Sequence, residues 1–402
     1  MTVPLRAPSR YAVARDRRQA LAFLANAAAA ATTGGLAAAA EPLPAPSTIL
    51  VKPGDSLEQA LRRATDGDRI DILAGEHRGQ VAVIGHKRLT LRGVGGRPVL
   101  HAGGRSAEGK AILVVRDGDI LIDNIEFRGA RVADGNGAGI RFERGRLQVE
   151  RCAFFDNQNG ILAGNAGDAE LSVLDSEFGD APAATPLPHL LYVGRIARFN
   201  LSGCRFAGGR DGHLVKSRAR YNELRSNQLV DGASGQAAYE VEFPNGGIVY
   251  LIGNVIGQSA TSTNPVLLSF GAEGSDDREQ SLFVAHNTFI NAGLRPAWFV
   301  RVHKLPQPLE RRFVNNLYIG LGVTDVAWAD IAQGNFLASS AVLEDAEVGA
   351  YALARDSLLR GRGVAPGRGR GVALAPLAEF TPPLGSRALA APLRWSPGAY
   401  QP

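Results

Sequence analysis

The chain has 402 residues, 45% hydrophobic and 21% charged, with 48 Gly, 22 Pro, 2 Cys and a formal net charge of +5. Ordinary apolar content at low charge excludes a collagen-like or disordered chain, and two cysteines exclude a disulfide-stapled scaffold. A basic balance points toward nucleic acid only if the cations gather on the folded body, so their position decides.

The first 40 residues carry Arg6, Arg10, Arg15, Arg17 and Arg18 against Asp16. They continue into a mildly apolar stretch from Ala20 to Ala31 and end in Leu36-Ala37-Ala38-Ala39-Ala40 before Glu41. A basic start, an apolar middle and a small-residue end predict an export signal over 1–40, cleaved near Ala40. Asp16-Arg17-Arg18-Gln19-Ala20-Leu21 also resembles a twin-arginine signal. The expected location is periplasmic or secreted. Without this leader, 39 basic residues face 38 acidic ones, and seven of the basic residues are arginines of the last segment, 355–402. The body over 41–354 is therefore slightly acidic, which argues against a nucleic-acid partner. No later stretch is apolar and long enough to span a membrane.

Asp55–Ala64 (DSLEQALRRA) predicts a short helix, with Asp55 and Ser56 as N-cap candidates and Gln59 completing a capping-box pattern. Leu57, Ala60, Leu61 and Ala64 form its apolar face. From Ile122 onward a six-residue block, apolar-x-x-(Asn/Cys/Ser)-x-apolar, recurs. It reads IDNIEF at Ile122–Phe127, with Ile125 at the polar position, then VERCAF at Val149–Phe154 and VLDSEF at Val173–Phe178. LSGCRF, LRSNQL, LIGNVI, VAHNTF and FVNNLY follow, ending at Phe206, Leu229, Ile256, Phe289 and Tyr318. Apolar residues alternate with period two, and no helical spacing is present. Blocks recurring every 23 to 33 residues predict a wound sheet, each coil laid on the last at about 4.8 Å. Asn227, Asn254, Asn287 and Asn316 are expected to stack as a ladder at its bends. Cys152 and Cys204 share that position with Ser176 on the coil between them. Two coils are about 9.6 Å, beyond the roughly 7 Å reach of a disulfide, so two free buried thiols are expected.

Val51–Gly79, followed by Leu89–Gly96 (LTLRGVGG), resembles the opening of pectate-lyase-like right-handed parallel β-helix proteins. Ser396–Tyr400 (SPGAY) resembles an ending common among them. The resemblance implies an all-β, right-handed parallel β-helix over roughly residues 50–400 with an N-terminal capping helix. Residues 41–354 are its solenoid, and the Arg/Pro/Gly-rich segment 355–402 packs on or closes it.

A narrow solenoid is filled with side chains, so chemistry must sit on an outer face or under a loop. The most polar candidate lies between Gly212 and Phe243. With Val215 inward in GHLVKSRAR, Lys216 and Arg218 point outward. With Tyr239, Val241 and Phe243 inward in YEVEF, Glu240 and Glu242 point outward on the next coil. Aligning HLLYVG with HLVKSR stacks His189 on His213 and Tyr192 on Lys216. Glu273, Asp276 and Asp277 follow on the longest insertion, and Arg301 and His303 extend the patch. Cleaving a uronate-containing glycan by β-elimination needs its carboxylate neutralised, a proton acceptor and a donor for the leaving oxygen. Arg218 supplies the first, Lys216 the second, and His213 or Tyr192 the third, with Arg220, Arg301 and His303 binding substrate. Glu240 and Glu242 supply oxygens suited to Ca²⁺. This arrangement is similar to the alginate lyase and chondroitinase B family, where a Lys, an Arg and Ca²⁺-binding glutamates share a β-helix face. Three alternatives stay open: a hydrolase or epimerase using Glu240 and Glu242 as acid and base, a carbohydrate-binding β-helix, and cross-strand charge pairing of Lys216 with Glu240 and Arg218 with Glu242 on a solvated sheet.

Overall fold

The computed structural model describes residues 46–183, 188–262, 264–275, 279–303 and 309–401. The export signal expected over 1–40, and Asp276 and Asp277, lie outside the described residues. Three long parallel sheets of 12, 11 and 10 strands run side by side, each coil contributing in turn to all three. The first runs from Thr48–Val51 to Ile331–Gln333, the second from Glu76–Arg78 to Phe336–Ala338, and the third from Ala82–Ile84 to Gly322–Thr324. This is the parallel β-solenoid expected. Its helix spans Leu57–Arg63; Ser56 caps it, the Oγ accepting from Gln59 N at 3.2 Å, and Leu57, Ala60 and Leu61 are buried. No described helix is long and apolar enough to cross a membrane.

The recurring block holds the solenoid together. Its apolar residues fill the interior, where Phe127, Phe154, Phe178 and Phe206 stack with ring centroids 4.5 to 5.0 Å apart. Its polar residue sits just after the bend from the first sheet to the second. That bend is made by one residue in the left-handed region: Arg151, Asp175, Ser226, His286 and Asn315 have φ between 46 and 56°, and Gly203, Gly253 and Gly334 do the same work without a Cβ penalty. The next residue then turns inward and satisfies the backbone of the coil before it. Cys152 N donates to Ser176 Oγ at 3.1 Å, and Cys204 N to Asn227 Oδ1 at 2.9 Å. Asn227, Asn254, Asn287, Asn316 and Asn335 then run on as one ladder, each Nδ2 donating to the next Oδ1 at 2.9 to 3.1 Å. Both cysteines are free and fully buried, and burial pushes the Cys152 thiol up to about 12.

The C-terminal segment returns along the outside. Three short antiparallel pairs, the first joining Leu343–Asp345 to Ala350–Leu353, lie over the first two sheets. Tyr250 and Phe283 on the outer face of the first sheet are covered by Leu374. Val255, Ile290 and Leu317 on the second lie beneath Tyr351, Leu353 and Ala399. Ser226 Oγ donates to Ala378 O at 2.7 Å, and Tyr250 OH to Gly369 O at 3.1 Å. Among the described residues, these pairs cover the first two sheets and not the outer face of the third.

Candidate functional site

Outward side chains of the third sheet stack in one ladder, Tyr192–Lys216–Glu242–Ser269–Arg301, by strand register. Beside it runs an aromatic stack, His189–His213–Tyr239, with centroids 4.7 and 5.0 Å apart. The interior side of the same strands is Leu191, Val215, Val241 and Leu268, all fully buried. The two neighbour relations expected from the alignment, His189 with His213 and Tyr192 with Lys216, are present.

Two of the expected orientations are not. Each of these strands leaves its bend with the first residue outward and both the second and third inward. At the second position, a Cβ on Gly139 or Gly160 would run into Phe154 at 2.9 Å or Phe178 at 2.8 Å, inside the coil. Glu240 occupies this position between the core residues Leu214 and Leu267 and is 1% exposed. Its Oε1 has no hydrogen-bond partner, and burial holds its carboxyl well above the usual range. Tyr239, expected inward, is half-buried outside, stacked on His213. Lys216 is therefore level with Glu242 rather than Glu240. Strict period-two reading fails here because the bend breaks the alternation. Glu240 and Glu242 do not share a face, so they do not fit the paired Ca²⁺ ligands or the acid–base pair expected of them.

Glu242 is outward and nearly enclosed. His213 Nε2 lies 2.9 Å from its Oε2 and Lys216 Nζ 3.0 Å from the same oxygen. Burial would raise the Glu242 carboxyl, but these two neighbours outweigh it and hold it below its usual range. Burial holds His213 below the usual imidazole range against the pull of Glu242, and its Nδ1 lies 3.0 Å from His189 Nδ1. Lys216 also reaches Glu273 Oε1 at 3.3 Å. The Lys216 ammonium thus sits between two carboxylates, those of Glu242 and Glu273.

Arg218 is the centre of the cluster. Its Nε donates to Tyr192 Oη at 2.8 Å, its NH1 to Asn245 Oδ1 at 2.8 Å, and its two terminal nitrogens hold Glu273 at 2.6 and 2.9 Å. Burial works against the cation, but Glu273 and Tyr192 more than offset it, so Arg218 stays charged. Glu273 is held below the usual carboxylate range chiefly by Arg218. Sequence reasoning put Glu273 on an insertion without a role and did not find Asn245, which lies in the Pro244-Asn245-Gly246-Gly247 turn.

The remaining residues stand apart. Arg220 is exposed and enters none of these contacts. Arg301 is exposed two coils beyond Glu242, its guanidinium 5.5 Å from the Trp298 ring centroid. His303 follows that strand, held below the usual imidazole range by burial and by Arg301. On the other side, Tyr192 and His189 line a pocket of about 560 Å³ that runs toward earlier coils.

No family model matches the chain, and no curated protein matches it. Among solved structures, pectate lyase Pel9A superposes with a TM-score of 0.62 at 13% identity, covering 88% of this chain and 96% of that one. The two share a fold. The chain has the parallel β-helix fold that this pectate lyase also has. The PL6 family alginate lyase AlyGC aligns with a TM-score of 0.39 at 16% identity, over 73% of this chain and 40% of that one.

Proposed function

We propose that this β-helix is an exported polysaccharide lyase that cleaves a uronate-containing glycan by β-elimination. One observation carries the reading: Arg218 and Lys216 together grip a carboxylate, that of Glu273, on the outer face of the third sheet. A uronate carboxylate has the same charge and fork geometry, and it competes for that grip. Neutralising it is the step elimination needs most, because the adjacent C–H is a weak acid whose carbanion is stabilised through the carboxylate. The C–H bond then breaks toward a proton acceptor, its electrons form the ring double bond, and the bond to the 4-linked oxygen breaks. Tyr192 Oη, half-exposed and accepting from Arg218 Nε, is suited to take that proton as a phenolate, becoming the phenol, and to return it to the leaving oxygen. His213 and Glu242 act behind Lys216 as positioning groups. The likeness to pectate lyase Pel9A supports the fold on which this reading rests.

The test is purified chain incubated with polygalacturonate, alginate, hyaluronan and chondroitin. The expected result is ultraviolet absorbance from an unsaturated uronyl end on at least one of them. Arg218→Ala should lower kcat/KM about a hundredfold, since it removes a transition-state donor. New reducing ends without that absorbance would mean hydrolysis, and binding without cleavage would leave a binding protein.

A further inference from the structure

We infer that the third sheet carries a second subsite three coils before Lys216, in which Arg141 and Asn159 take the carboxylate and a hydroxyl of another uronate in the same glycan. The inference rests on the uronate reading above and extends it to where the rest of the chain lies.

The outward ladder that reaches Lys216 begins earlier, as Val114–Arg141–Leu162–Tyr192. At about 4.8 Å per coil, Arg141 stands roughly 14 Å from the Lys216 level. Its stem is packed between Val114 and Leu162, both buried on the outer face. Its Nε is buried with no hydrogen-bond partner. Among the described residues its guanidinium enters no ion pair, whereas nearby arginines do: Arg116 with Glu108, Arg144 with Asp168 and Arg146 with Glu170. Asn159, one coil on and in register with His189, is 2% exposed and lines the same pocket. Buried polar groups are nearly always partnered, so the bare Arg141 Nε points to something that fills the space beside it.

That space is the pocket of about 560 Å³, lined by Arg141, Asn159, Lys110, Asn165, His189 and Tyr192. The other charges near it are balanced or at the rim. Lys110 Nζ sits between Glu108 at 3.1 Å and Glu143 at 2.7 Å, and Asp134 accepts from Asn136 N. Arg141 is thus the cation of the pocket that lacks a carboxylate. A guanidinium fork matches a carboxylate, and an Asn amide both donates to and accepts from a ring hydroxyl. Tyr192 joins the two places, its ring lining this pocket and its oxygen accepting from Arg218. A glycan lying along the ladder passes from one to the other over a continuous strand face.

Calorimetric titration of the full chain with two-residue and five-residue oligogalacturonates and oligoalginates tests this. Wild type should bind one five-residue oligomer about tenfold more tightly than its two-residue form. Arg141→Gln and the isosteric Asn159→Asp should each lose that gain while binding the two-residue form as wild type does. A methyl-esterified five-residue oligomer should not distinguish Arg141→Gln from wild type. If both variants bind the long oligomer as tightly as wild type, the subsite is wrong and the uronate reading stands. If wild type binds no acidic oligomer of either length, both fall together.

Discussion

Two polar stacks run along this solenoid, and they differ in every respect that matters for function. The inner one, Ser176–Cys204–Asn227–Asn254–Asn287–Asn316–Asn335, repeats one contact on every coil and leaves no donor waiting. The outer one, Arg141–Leu162–Tyr192–Lys216–Glu242, repeats nothing from coil to coil and contains a buried atom with no hydrogen-bond partner, Arg141 Nε. A periodic, satisfied stack is what stability selects, since every coil has the same bend to pay for. An aperiodic, unsatisfied one costs stability and is retained only if something binds there.

The sharpest way to break this contrast is to cut the inner stack. Asn254 Oδ1 accepts from both the backbone and the side chain of Asn227, and its Nδ2 donates to Leu224 O at 2.9 Å. Asn254→Leu would take this partner from the Asn227 backbone N–H, from an Asn227 side-chain N–H and from the Leu224 C=O, and each buried group left unpaired costs about 1 to 3 kcal/mol. Urea unfolding should therefore show a loss of about 3 kcal/mol or more. A loss below about 1 kcal/mol would show that the ladder is ornament and remove one side of the comparison.

The same contrast explains what could be read from the sequence. Everything periodic was legible: the coil, the capping helix at Ser56, the Asn ladder and the two unbridged cysteines. They repeat, or they obey local rules. The face carrying the charges was legible too, down to the neighbours His189–His213 and Tyr192–Lys216. What was not legible depends on a bend. One residue of broken alternation sends Glu240 into the core and moves Lys216 opposite Glu242. Glu273 and Asn245 come from turns outside the repeat, and no period predicts where a loop folds back. Arg141 escaped notice because one arginine in a stretch that also holds Arg144 and Arg146 is unremarkable until its lack of a partner is seen.

Glu240 is the exception that sharpens the rule, an unsatisfied polar group on the inner side. Its neighbours in the stack are Leu214 and Leu267, so Glu240→Leu restores the apolar column. Replacing a buried unpaired ionisable group with a hydrophobe of similar size should raise stability at neutral pH by about 2 kcal/mol. The pH dependence fixes the cause. The folded carboxyl is raised above its ordinary 4.5, so the folded state holds a proton that the unfolded chain releases. Its contribution is intact below about pH 4.5 and is lost as pH rises toward the folded value. The advantage of Glu240→Leu should be small in acid and grow toward neutrality in parallel denaturation series. An equal gain at every pH would mean that packing, not charge, is at stake.

On the outer side, the smallest expected effect is the most informative about binding. Glu273 lies on the loop after Phe270 and its side chain is 47% exposed, so its ion pairs with Lys216 and Arg218 are partly screened and contribute little to the fold. If Glu273 only braces the cluster, Glu273→Ala would loosen Arg218 and weaken the binding of an acidic oligosaccharide. If instead its carboxylate fills the place a uronate takes, removing it takes away a competitor, while Tyr192 and Asn245 still orient the guanidinium from the other side. The second outcome is expected: binding should tighten about threefold to fivefold, with little change in melting temperature, because an exposed pair is worth about 1 kcal/mol or less. Glu273→Gln separates charge from shape, since it keeps the side chain's size while removing its negative charge. It should tighten binding almost as much as Glu273→Ala. Weaker binding in both variants would make Glu273 a brace and return the Lys216–Arg218 cluster to the company of the satisfied inner ladder.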